Sequence, residues 1–296
     1  VRPDRRRVLL IGGHESRDGR CLPGLVGPDG PEVRAVGRDL HAALTGRDRI
    51  VAVPMTLGRD PELPAVAAQT LRWAARERAP GDLLLAGPLG TTGHLVGWIR
   101  GAVTRALRDG PPRQAVLLVA PAAGPEPDAE LFRVARLVRQ YTSVRWVEVA
   151  LTDGDPDVDE GVERCLRLGA DGVVLVPASF VPVAPRPGVR TAGPLLGPAP
   201  LATLIRERVT EAEQRWDRYG DDGLATVHHG HGHGHGNRDG HEHEHGDVHG
   251  RGHGHRDERE RDHDHEHEHE HEHTDRHRNP SVPVAANLKG AASHVG

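Results

Sequence analysis

Lysine is almost missing from this chain: Lys289 is the only one among 38 basic residues, so nearly all the positive charge is arginine. Aromatic residues make up 3% and methionine occurs once, which leaves Val, Leu, Ala and Ile to build a core. Both shortages say more about base composition than about function. The two cysteines, Cys21 and Cys165, stand in unrelated contexts and form no paired framework, which argues against a disulfide-stapled secreted fold. No apolar run reaches 18 residues and no signal-peptide pattern is present, so a soluble cytoplasmic protein with no membrane partner is expected. A formal net charge of −5, with 43 acidic residues mixed among the basic ones, leaves no basic patch and makes nucleic acid a poor partner.

Of the 296 residues, the last seventy or so differ in composition from the rest. Residues 1–225 are ample for a packed α/β body. Residues 8–11, Val-Leu-Leu-Ile, form a continuous apolar run, which suits a parallel strand covered on both faces. The spacing of Val33, Val36, Leu40 and Leu44 predicts a helix over 32–44, and further strands are expected at 50–53 and 82–86. Helices are expected at 62–78 and 95–107, the first with Leu63, Val66, Ala67, Leu71 and Ala74 on one face.

The same grammar then restarts. Residues 115–120 answer 8–11, residues 172–177 answer 50–54, and Gly193-Pro194-Leu195 with a helix over 201–216 answers Gly87-Pro88-Leu89 and its helix. Three correspondences in one order predict an internal duplication, with one half over 1–110 and another over 111–225. The second half is expected to hold an extra strand at 144–150 and helix at 158–168, and to lack a helix and strand that the first half has. Alternating strands and helices predict two tandem doubly wound parallel sheets, with ligands at the carboxyl ends of the strands.

Residues 226–296 are expected to be a disordered metal-binding tail, because 18 of the 22 histidines lie between His228 and His277 with almost no apolar residue. His231, His233, His235, His241, His243 and His245 alternate with Gly or Glu. His263, His265, His267, His269, His271 and His273 alternate with Asp or Glu. Such repeats offer nitrogen and oxygen donors to Co2+, Ni2+, Zn2+ or Cu2+ without one defined site.

His14 follows the first strand and its Gly12-Gly13 turn, the place where an α/β protein binds its ligand. An imidazole there can hold a divalent metal or accept a proton near neutrality, or it can be a hydrogen-bonded loop residue. Ser16, Arg17 and Asp18 can hold acidic substrate groups or orient the ring. His94 lies near another strand end, and His41, on a helix, reads as a surface or packing residue.

Gly12-Gly13-His14-Glu15-Ser16-Arg17-Asp18 resembles the opening motif of the sirohydrochlorin chelatases, type II chelatases whose long members are duplicated. The Val53-Pro54 and Val176-Pro177 strand ends and the two Gly-Pro-Leu turns are similar as well, over residues 8–216. The resemblance implies insertion of Co2+ or Fe2+ into a metal-free, carboxylate-rich tetrapyrrole in a cleft between the halves. It gives His14 the role of metal ligand or proton acceptor and gives Glu148, in the 146–150 strand, that of assisting carboxylate. Where the family usually has a second histidine this chain has Asp60 and Glu62, which can serve as oxygen ligands. Asp60 can equally cap the helix that follows. Arg17, Arg59 and Arg100 are candidates for pairing with substrate carboxylates. The expected metal set is therefore His14, Asp60, Glu62 and His94, with Ser16, Arg17 and Arg59 on the substrate. Co2+, or Ni2+ or Fe2+, is the substrate ion, and no organic cofactor is expected. The alternative is a non-catalytic Co2+ or Ni2+ storage or delivery protein on the same fold.

Overall fold

A computed structural model describes residues 6–108, 110 and 112–225, so the tail lies outside the described residues. The first sheet is parallel and contains β1 (Arg7–Gly12), β2 (Glu32–Ala35), β3 (Ile50–Met55) and β4 (Leu83–Leu85) in the order β2-β1-β3-β4. The second contains β5 (Gln114–Pro121), β6 (Trp146–Thr152), β7 (Gly172–Pro177) and β8 (Arg190–Thr191), ordered β6-β5-β7-β8. The registers match too. Ile11 lies opposite Pro54 as Val119 lies opposite Pro177, and Leu9 lies opposite Glu32 as Leu117 lies opposite Glu148.

This repetition is fuller than the sequence suggested. Residues 32–35 are a strand rather than the start of a helix, and only the short α2 (Arg38–Ala43) follows. Gly37, at φ 82°, separates the two elements, and the apolar spacing across it mimics a helical period. The second half likewise has a fourth strand, the exposed two-residue β8, where none was expected.

The central strands are apolar without interruption because helices cover both faces. Leu9, Ile11 and Ala52 pack outward under α2 and α3 (Glu62–Ala75). Leu117, Val119 and Ala150 pack outward under α6 (Val158–Arg167). Leu10, Val53, Val116 and Val174 turn inward to a shared core that also holds α4 (Thr92–Leu107), α5 (Pro125–Gln140) and α7 (Pro198–Tyr219). α5, which was not among the expected helices, buries Leu131, Val134, Ala135 and Val138 on one face.

Two of these helices cross over. α4 follows the first sheet in sequence but packs on β7, whereas α7 follows the second sheet but packs on β3 and β4. Arg208 of α7 donates to Pro88 O at 3.0 Å, and after α7 the Asp222 carbonyl accepts from Leu85 N at 2.9 Å. The described residues fall in one compact unit. No helix among them is long and apolar enough to cross a membrane.

Candidate metal-insertion site

β1 ends at Gly12 with Gly13 following, and the structure gives each glycine a reason. A side chain at 12 would meet the backbone of Gly19, and one at 13 would meet the Asp60 carboxylate. The loop between is a 3-10 turn, His14–Ser16, closed by Arg17 at φ 51°. Ser16 is fully buried; its hydroxyl donates to Gly13 O at 3.1 Å and accepts from Gly19 N at 3.0 Å. Both of these bonds hold the loop, where the expectation put Ser16 on the substrate.

His14 and Asp60 come together. Asp60 Oδ2 lies 3.0 Å from His14 Nδ1 and accepts from His14 N at 3.3 Å, while Oδ1 accepts from Leu63 N at 3.1 Å. One carboxylate therefore caps the start of α3 and orients the imidazole. With Nδ1–H assigned toward Asp60, the Nε2 lone pair is free, and Nε2 is a buried atom with no hydrogen-bond partner.

Several expected residues lie elsewhere. Glu62 is exposed on the first turn of α3, beside Ala65, Val66 and Gln69. His94 is exposed at the start of α4, where its Nδ1 accepts from Thr91 N at 3.2 Å and its ring stacks on Trp98. Among the described residues no group of three or more His, Cys, Asp or Glu is placed to hold a metal ion, so the four-residue set is not assembled. Glu148 belongs to the face of β6 that carries Trp146 and Ala150, under α6. There burial pushes the Cys165 thiol up to about 12, with the Glu148 charge adding to the rise. The alternation of a strand turns Glu148 away from the core shared by the sheets, so the structure does not pair it with His14. His41 packs edge-on against Trp73, and Arg100 lies over the Tyr141 ring.

Arg59 is fully buried, donates to Pro127 O through Nε at 3.3 Å and Nη2 at 3.0 Å, and lies 3.6 Å from Asp128. It therefore links the halves rather than facing a substrate; burial lowers its pKa, and Glu15 and Asp128 oppose that. Arg17 is partly exposed and pairs with Asp153 of the second half at 3.2 Å.

Glu15 was not among the expected site residues. It is fully buried, with Oε2 accepting from Leu57 N at 2.9 Å and from the Thr56 hydroxyl, and its main-chain carbonyl accepts from Phe180 N at 2.9 Å. Burial raises its pKa against the opposing effects of Thr56, Arg59, His14 and Leu57. A glutamate after a histidine reads as solvated. The available clue was that Thr56 and Arg59 follow the end of the neighbouring parallel strand.

Further along, from Cys21, the halves flank an apolar cavity of about 300 Å³. Cys21, Leu25 and Leu57 wall it from one side, and Phe180, Val181 and Leu195 from the other. Such walls suit a flat apolar ring face.

These features define a duplicated α/β protein with one histidine-bearing loop at the junction of its halves. No family model matches the chain. Over 70 residues it is 39% identical to the sirohydrochlorin cobaltochelatase of Priestia megaterium, which agrees with the likeness seen in the motifs. That stretch is 23% of this chain and 23% of the relative, so the chain spans about a quarter of the curated protein it matches. Two solved structures are similar over 74% of this chain and 100% of their own. They are SirB from Bacillus subtilis with Fe3+, at TM-score 0.42 and 16% identity, and the sirohydrochlorin chelatase SirB of Bacillus subtilis subspecies spizizenii in complex with cobalt, at 0.40 and 14%.

Proposed function

We propose that this chain inserts a divalent metal ion, Co2+ first among candidates, into sirohydrochlorin or a related tetrapyrrole of cobalamin or sirohaem biosynthesis in the cytoplasm. The observation that carries the reading is the buried, unpartnered Nε2 of His14, fixed through Nδ1 by Asp60. Insertion exchanges M2+ for two pyrrole protons, so the site must hold a cation and accept protons. The free Nε2 can do either, and the Asp60 carboxylate stabilises the imidazolium that forms when it takes a proton. Apolar walls suit a face of the macrocycle, and Arg17, released from Asp153, offers a guanidinium to a peripheral carboxylate.

The histidines of residues 226–296 act in this reading as a reservoir that holds ions for the site. Titration calorimetry is expected to find several weakly bound ions per chain, lost below about pH 6 as imidazoles protonate. Equal stoichiometry after deletion of the tail would contradict the reservoir.

The enzyme reading is tested by following the absorbance of sirohydrochlorin with Co2+ and the full chain. A rate above the spontaneous one, lost in His14→Ala, is expected; a wild-type rate equal to the spontaneous one contradicts it. The second reading, storage or delivery without catalysis, is favoured by the position of Glu148 on the far face of β6. A store would leave the tetrapyrrole spectrum unchanged.

A further inference from the structure

The duplication makes Leu57 and Phe180 counterparts, each three residues beyond the proline that marks the strand register. Their turns match as well: Thr56 Oγ1 accepts from Gly58 N at 3.0 Å, and Ser179 Oγ accepts from Val181 N at 3.1 Å. Both residues wall the cavity, from opposite halves. Yet their two N–H groups converge on one residue, Leu57 N on the side chain of Glu15 and Phe180 N on its main-chain carbonyl, each at 2.9 Å.

The connections also run on to the histidine. The Thr56 hydroxyl that donates to Glu15 accepts from Asp60 N at 3.3 Å, and Asp60 holds His14, which is covalently next to Glu15. Glu15, Thr56, Asp60 and His14 therefore form a closed ring of covalent and hydrogen bonds. Glu15 and Thr56 are buried, so water cannot replace a bond lost between them and truncating either loosens the other members.

We propose that Glu15 is the positioning residue of the cleft, tying both cavity walls to the loop that carries His14. The cleft is thereby preformed, the Leu57 wall held by the Glu15 side chain and the Phe180 wall by its main-chain carbonyl, rather than by closure of the halves on a ligand. The consequence for tetrapyrrole binding rests on the function proposed above; the coupling of the walls does not.

Amide hydrogen exchange followed by NMR on the full chain tests the coupling. In Glu15→Ala the Leu57 and Phe180 amides are both expected to exchange at least about threefold faster, and Glu15→Gln, which keeps an acceptor oxygen, restores protection at both. Faster exchange at Leu57 with Phe180 unchanged would overturn the proposal, because Glu15 would then serve its own half only. If Glu15→Ala does not fold, Thr56→Val is read at the same two amides and decides in the same way. In the insertion assay Glu15→Ala is expected to raise KM for the macrocycle about tenfold with kcat within about threefold. Unchanged KM overturns the positioning role, whereas a wild-type chain without insertion activity overturns only the enzyme reading and leaves the exchange result to decide the coupling.

Discussion

The two halves share strand order and register, and they part at the ends of their first strands. By register, His14, Glu15 and Ser16 correspond to Ala122, Ala123 and Gly124. In the second half the loop closes on its own helix: Ala123 N and Gly124 N both donate to Asp128 of α5, at 3.1 and 3.3 Å. In the first half the loop is completed by Thr56, Leu57 and Asp60, from beyond the neighbouring strand. One scaffold thus satisfies the same turn in two ways. Only the solution built from side chains of another strand leaves an imidazole nitrogen and a carboxylate side by side.

Substitutions at paired positions break the comparison most directly. His14→Ala is expected to lower metal insertion by about 100-fold or more, toward the spontaneous rate, while Ala122→Ser changes it less than about twofold in the same assay. Arg59 corresponds by register to Pro182. Removing the buried guanidinium in Arg59→Ala leaves Asp128 and Glu15 without their cation and is expected to cost about 3–5 kcal/mol in urea denaturation, whereas Pro182→Ala costs less than about 1 kcal/mol.

Asp60 corresponds to Val183, which has no carboxylate to offer. Asp60→Asn is expected to weaken Co2+ binding at His14 about 10- to 100-fold, measured on the chain without residues 226–296 to remove the tail's contribution. Restored affinity on lowering the pH would contradict this, since protonation cannot improve an imidazole as a ligand.

The smallest effect concerns pH. The raised pKa of Glu15 means that the folded state holds its proton more tightly than the unfolded chain does. Its stabilising contribution is therefore full below the ordinary carboxylate range and is lost as pH rises through the raised value. Wild type and Glu15→Gln are expected to run parallel in denaturation series near pH 4, with wild type falling relative to the variant as pH rises. A difference independent of pH would show that Glu15 ionises as readily folded as unfolded.

Much of the fold was legible because the strands at the centre of each sheet are unbroken apolar runs, buried on both faces. The edge strands were not: β2 is half-exposed with mixed side chains, and β8 is two residues long. His14 and Asp60 could be picked out because each follows a strand end in an open sheet. The role of Glu15 could not, since its burial depends on partners 41 and 42 residues along the chain. The placement of Glu148 has another cause. The resemblance supplied the strand, but only the packing of α6 decides which face of it meets the cleft.

The crossing of α4 and α7 also bears on how the chain is made. α4 is synthesised well before β7, the strand it packs on, so it leaves the ribosome with its apolar face uncovered. β3 and β4 wait longer still, for a helix that ends at Tyr219. The shared core can thus be completed only after both halves have emerged.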